Sequence, residues 1–189
     1  MHSRESDSPS ATRSRLAVLP NALTGIRLVL GLVYPFLPSA ARGPVFVIAA
    51  ATEFLDGYLA RRMGIESLSG RILDPVADKV FVAAVLITLI RDGTITPLGA
   101  AAVASRDLLV WAGILVAWIA RGRSALERMP PRLLGKLATA AQFFWILGVL
   151  VLGRSVTPLM VVAASLSFAA GIDYLATGAR RILAGPRPS

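Results

Sequence analysis

The chain has 189 residues, 55% of them hydrophobic, a formal charge of +9 and no cysteine. Its mean hydropathy is +0.67, whereas soluble domains hold roughly 45–50% apolar residues even with glycine counted, so an ordinary soluble domain is excluded. The missing cysteines exclude disulfides, a thiol nucleophile and thiolate metal sites.

Residues 1–15, "MHSRESDSPSATRSR", are polar and Ser-rich, and read as a disordered tail rather than a signal peptide. Six apolar segments follow, over 22–39, 43–62, 71–91, 96–120, 133–153 and 156–178. Each is near the roughly 20 residues that cross a hydrocarbon core. Arg27, Pro35 and Pro38 interrupt the first. Residues 181–189 read as a second loose tail. The expected fold is all-α: one integral membrane domain over 16–180, a bundle of six transmembrane helices.

The bases give the bundle a direction. With the N-terminus inside, the outer loops hold only Arg42, Arg91 and Arg154. The inner segments hold Arg4, Arg13, Arg15, Arg61, Arg62, Arg71, Arg121, Arg123, Arg128, Arg132, Lys136, Arg180, Arg181 and Arg187. That asymmetry places both termini in the cytoplasm. The excess charge is then topology plus attraction to anionic headgroups, so membrane lipids are expected partners and nucleic acid is not.

Spans two and three are joined by "RRMGIESLSG", a Gly- and Ser-containing loop. The helix entering it carries Glu53 and Asp56, and the helix leaving it carries Asp74 and Asp78. A spacing of i,i+3 for one pair and i,i+4 for the other puts each pair on one helix face. Both pairs lie within a few turns of the loop, on the cytoplasmic side. An acid at a membrane helix centre costs roughly 2.5–3.5 kcal/mol, so four need compensation. Carboxylate oxygens suit hard divalent cations such as Mg²⁺ or Mn²⁺, and two such ions stabilise an in-line displacement at phosphorus. Gly57, Ala60 and Gly70 adjoin the acids and leave room for a bulky ligand such as a nucleotide.

The stretch "DGYLAR", eight further residues and "GRILDPVAD" resembles the signature of the CDP-alcohol phosphatidyltransferases, Asp-x-x-Asp-Gly-x-x-Ala-Arg, a spacer, then Gly-x-x-x-Asp-x-x-x-Asp. Asp56, Gly57, Ala60, Arg61, Gly70, Asp74 and Asp78 match it. "LPNALTGIR" (19–27) and "LGKLATAAQ" (134–142) are similar to further segments of that family. The resemblance implies two divalent metals held by the acids, with Asp56 and Asp74 as ligands and Asp78 as ligand and general base. It implies a CDP site at Gly57, Ala60, Arg61 and Gly70, and a homodimer in the cell (inner) membrane. The departure is Glu53 where the family has Asp, an oxygen ligand longer by one methylene.

Read this way, an alcohol attacks the lipid-side phosphorus of CDP-diacylglycerol and CMP leaves. Arg106, Lys136 and Arg27 are the candidate acceptor-binding residues. For Arg106, pairing with Asp107 is the alternative; Gln142 and Asp173 read as interhelical polar contacts. Phosphatidylglycerophosphate synthases, which use glycerol 3-phosphate, tend to show further bases where this chain has Ile114 and Ala138. The sparse bases look more like eukaryotic-type cardiolipin synthases, which tilts the expectation slightly to phosphatidylglycerol, then glycerol 3-phosphate, then myo-inositol phosphate. The phospholipase-D type of cardiolipin synthase is excluded, because His2 is the only histidine. Outside enzymes, a cation- or proton-coupled transporter and a metal-poor scaffold homologue are the rival readings.

Overall fold

A computed structural model describes the backbone of residues 24–63, 70–121 and 133–183, and their side chains except those of 53–63, 70–75, 117–118, 120–121 and 179–183. The expected tail over 1–15, residues 64–69 of the expected inner loop and residues 184–189 lie outside the described residues; residues 181–183, expected to begin a loose tail, instead continue the last helix. Among the described residues all regular structure is helical: α1 (Thr24–Phe36, its last turn 3₁₀), α2 (Ser39–Met63), α3 (Gly70–Arg91), α4 (Pro97–Val103), α5 (Ser105–Arg121), α6 (Leu133–Leu152) and α7 (Thr157–Leu183). They form two compact units, divided after Arg91.

In the first unit, Phe81 of α3 lies between two rings. Tyr34 of α1 meets it edge-on at 5.6 Å and Phe46 of α2 stacks on it at 6.2 Å. All three are buried. The approach of α1 is set by Gly31, where a Cβ would stand 3.2 Å from the Phe81 Cα. Arg27, one turn before Gly31, reaches Asp78, just under one turn before Phe81. Contacts thus advance together along both helices, so α1 and α3 run parallel. The short α1–α2 connection is closed by backbone acceptors: Arg42 donates to the Leu37 carbonyl at 3.0 Å and Arg91 to that of Pro35 at 2.7 Å.

The second unit is built around α7, which contacts α4, α5 and α6. Its inward positions are small: Ala163, Ser167, Ala170 and Gly171 are buried. Without a water-driven hydrophobic force between helices in lipid, close approach at small residues supplies the dispersion contacts. Gly113 faces Leu175 in this way, and Gly148 faces Leu159. Two turns need a left-handed backbone that glycine supplies: Gly93 after α3 (φ 71°) and Gly153 after α6 (φ 63°). The Gly153 N–H returns to the Val149 carbonyl at 2.9 Å, closing the end of α6.

Two helices, Leu133–Leu152 and Thr157–Gly178, are long and apolar enough to cross a membrane. Their outward residues are as apolar as their inward ones: Trp145 is fully buried while neighbouring Phe144 is 61% exposed, the pattern of a helix solvated by lipid. The expected single span over 96–120 is instead two helices bent by 66° at Ala104, a third candidate span if taken as one. Pro97 at the first position and the Thr96 side chain, accepting from the Gly99 N–H at 3.1 Å, start α4. At Ser105 the chain starts again as α5, with Asp107 in its first turn, where a carboxylate complements the helix dipole. Helices α2 and α3, at 25 and 22 residues, are long enough to span but carry the charges of the acidic hairpin.

Candidate active site

The acid positions fall on regular helix, as their spacing requires. Glu53, Asp56, Gly57, Ala60 and Arg61 occupy the last three turns of α2; Gly70 opens α3, with Asp74 and Asp78 in its first three turns. At 1.5 Å per residue, Asp56 lies about 10 Å before the end of α2. Asp74 and Asp78 lie about 6 and 12 Å beyond the start of α3. Both pairs therefore sit at comparable distance from the loop that joins them. The side chains of Glu53, Asp56, Gly57, Ala60, Arg61, Gly70 and Asp74 lie outside the described set. Among the described residues no three Asp, Glu or His side chains gather in a metal-binding group.

Asp78 is described in full. Its carboxylate Oδ1 accepts from Arg27 Nη1 at 2.5 Å; the arginine side chain is 4% exposed and the aspartate 25%. The sequence separates these two residues by most of α1 and α2, and nothing local pairs them. Arg27, expected among the acceptor-binding residues, thus stands on the expected base. An ion pair between a buried guanidinium and a carboxylate fixes the orientation of both.

Arg106 and Lys136 belong to the second unit. Arg106 begins the first turn of α5, with its Cα against α7: a Cβ on Gly171 would stand 3.3 Å from it. Its side chain turns to α6 and Nη1 donates to Thr139 Oγ1 at 2.7 Å, rather than to neighbouring Asp107. Thr139 in turn donates to the Gly135 carbonyl at 3.1 Å. Nη2 lies over Gly135, where a Cβ would be 3.0 Å away. Nε is buried and has no hydrogen-bond partner among the described residues. Lys136 follows Gly135 on α6 and is exposed. Gln142, expected as an interhelical contact, is 8% exposed with Nε2 unpartnered among the described residues.

The sequence reading missed Gly135 and Thr139. Their signal was present, because "GKLAT" places a glycine and a threonine one helical turn apart beside a lysine. Ala138, where a second basic residue was looked for, is buried at 1% exposure.

Comparison with known proteins identifies the family. The chain is 35% identical over 153 residues to a rice cardiolipin synthase (CMP-forming), covering 71% of this chain and 46% of that protein. It is 40% identical over 111 residues to a Pseudomonas fluorescens CDP-diacylglycerol–glycerol-3-phosphate 3-phosphatidyltransferase, covering 54% and 56%. A Rickettsia typhi protein of the same name is 34% identical over 144 residues, covering 71% and 76%. The chain thus spans about half the length of the first two of these relatives. Residues 17–170, from before α1 into the buried face of α7, match the CDP-alcohol phosphatidyltransferase family as a whole, and to that family this chain belongs.

Proposed function

We propose that this chain transfers a phosphatidyl group from CDP-diacylglycerol to a glycerol-type alcohol, releasing CMP, as a step of phospholipid biosynthesis. The observation that carries the reading is the acid register of the α2–α3 hairpin within a family match that spans it. In this reading one membrane domain spans 16–180, with a tail over 1–15 before it. It is a bundle of six transmembrane helices in the cell (inner) membrane, with both termini and the active site on the cytoplasmic side. The working form is a homodimer.

The donor set is the chemistry that supports a divalent metal: Glu53, Asp56, Asp74 and Asp78 offer only carboxylate oxygens, which suit Mg²⁺ or Mn²⁺. Two such ions, when bound, neutralise the pyrophosphate and steady the departing CMP. The chain's own residues do the rest. Gly57, Ala60 and Gly70 give the cytidine nucleotide access to the backbone, and Arg61 pairs with its phosphate. Asp78 takes the proton of the acceptor hydroxyl. The resulting oxygen forms a bond to the lipid-side phosphorus, and the bond from that phosphorus to the bridging oxygen breaks. CMP leaves with that bonding pair. Arg27 holds the Asp78 carboxylate in place for this transfer.

Glycerol 3-phosphate is the acceptor we place first. Relatives named for transfer to it include the Rickettsia typhi protein, most of whose length the chain covers. Phosphatidylglycerol is second: the chain lacks bases at Ile114 and Ala138, Ala138 is buried, and the rice relative carries the cardiolipin synthase name. This reverses the slight preference drawn from the bases alone. The test is CMP release by membranes bearing the chain, with Mg²⁺ or Mn²⁺, CDP-diacylglycerol, and glycerol 3-phosphate, phosphatidylglycerol or myo-inositol phosphate supplied separately. Metal-dependent release with one acceptor, lost in Asp78→Ala membranes, is expected. Absence of release with every acceptor, also after Glu53→Asp, would favour the transporter or scaffold readings.

A further inference from the structure

We infer that Thr139 and Gly135 are positioning residues for Arg106, and that together they aim its guanidinium at a phosphate oxyanion of the acceptor. This rests on the proposed reading of Arg106 as an acceptor-binding residue.

The argument starts from what an arginine does when it enters an apolar bundle. Its side chain has several rotatable bonds, and its five N–H donors must be satisfied or solvated. Here one donor is committed: Nη1 binds Thr139 Oγ1 at 2.7 Å. The hydroxyl is itself oriented, because its proton goes to the Gly135 carbonyl at 3.1 Å. A threonine hydroxyl has one proton to give, so the direction of this relay is fixed. It runs from Arg106 to Thr139 and on to the backbone of α6. Gly135 supplies the second restraint. It sits one turn before Thr139 on the same face, and its missing Cβ makes the niche that Nη2 fills.

What remains are the guanidinium N–H groups that Thr139 does not take. Nε is buried with no partner among the described residues. It packs against Gly135, 3.6 Å from where a Cβ would stand, which further limits how the guanidinium can turn. A guanidinium held in one orientation by Thr139 and Gly135 presents its remaining N–H groups to a phosphate oxyanion ready aligned. Lys136, beside Gly135 on the same helix, supplies a second positive charge. The shared chemistry is a phosphate oxyanion, found both in glycerol 3-phosphate and in the phosphodiester of phosphatidylglycerol.

The experiment measures acceptor KM, CDP-diacylglycerol KM and kcat for the full chain in detergent–lipid micelles. Glycerol 3-phosphate is the acceptor in one arm and phosphatidylglycerol in the other. The variants are Thr139→Val, Thr139→Ser, Gly135→Ala and Arg106→Gln. Loss of a hydrogen bond to a charged group corresponds to a change of about tenfold. Thr139→Val should therefore raise the KM of the acceptor used by about tenfold while leaving CDP-diacylglycerol KM and kcat in place. Thr139→Ser, which keeps the hydroxyl, should restore the original value. Gly135→Ala should give a smaller rise in the same constant, because the guanidinium can yield by a few tenths of an ångström. Arg106→Gln must raise the same KM at least as far. If Arg106→Gln does and Thr139→Val does not, the positioning role is overturned while the acceptor reading stands. If Arg106→Gln leaves acceptor KM unchanged, the acceptor reading falls and the inference with it. A Thr139→Val defect in kcat alone, or one that serine fails to rescue, also overturns the inference.

Discussion

Arg27 Nη1 donates to Asp78 Oδ1 across 51 residues of chain, and the arginine is almost wholly buried. Removing one partner of a buried pair leaves an uncompensated charge, a loss of about 3–5 kcal/mol at full burial. Asp78 keeps a quarter of its side chain exposed, so Arg27→Gln should cost less, about 2 kcal/mol. The check is the thermal midpoint of the purified protein in detergent. Arg27→Lys, which keeps the charge, should recover part of it; a midpoint unchanged by Arg27→Gln would show that the pair contributes no stability.

Gly31 and Gly25 both lie in α1, yet substitution should affect them in opposite directions. A Cβ at Gly31 meets backbone atoms of Phe81 at 3.2 and 3.3 Å, and backbone does not yield cheaply. Gly31→Ala should destabilise by about 1–3 kcal/mol. At Gly25 nothing lies within 4 Å, so alanine should stabilise by roughly 0.5–1 kcal/mol through helix propensity. Equal midpoints for the two variants would contradict the packing of α1 on α3.

Phe81 carries the aromatic core of the first unit, and Phe81→Ala should cost about 3–5 kcal/mol. Phe81→Leu should cost less, because it keeps most of the volume between Tyr34 and Phe46. Denaturant or thermal unfolding followed by near-ultraviolet circular dichroism would rank the two.

Glu53 is the one departure from the family's acidic pattern. If it holds a metal across one extra methylene, Glu53→Asp should lower the Mn²⁺ concentration that gives half-maximal CMP release. Direct Mn²⁺ binding, followed by electron paramagnetic resonance, should shift the same way. A Glu53→Asp protein with unchanged binding would remove Glu53 from the ligand set.

The absence of cysteine makes topology directly measurable. In the proposed orientation Arg154 faces outward and Ser67 inward, so a membrane-impermeant maleimide should label Arg154→Cys and not Ser67→Cys in intact cells. Labelling of Ser67→Cys instead would invert the proposed orientation.

The sequence was most legible where a local rule decides the outcome. Apolar runs predicted α6 and α7 at 133–153 and 156–178, against Leu133–Leu152 and Thr157–Leu183. The acid spacing required regular helix at 53–56 and 74–78, and α2 and α3 supply it. Hydropathy was silent about direction. Residues 96–120 are apolar throughout, so one span and two helices bent by 66° read alike. The partners of Arg27 and Arg106 were out of reach for a different reason. Each is chosen by which helices lie side by side, and the bonds to Asp78 and Thr139 cross 51 and 33 residues. Charge alone flagged both arginines but could not say what they hold.

The break at Ala104 changes what kind of electrostatic object Arg106 belongs to. A straight helix would bury this stretch of backbone mid-ladder, with its peptide dipoles cancelled by their neighbours. Starting again at Ser105, α5 gains a positive pole worth roughly half an elementary charge, which the Asp107 carboxylate in its first turn complements. The charge at this corner of the fold therefore has a component written in the main chain, which no side-chain substitution erases.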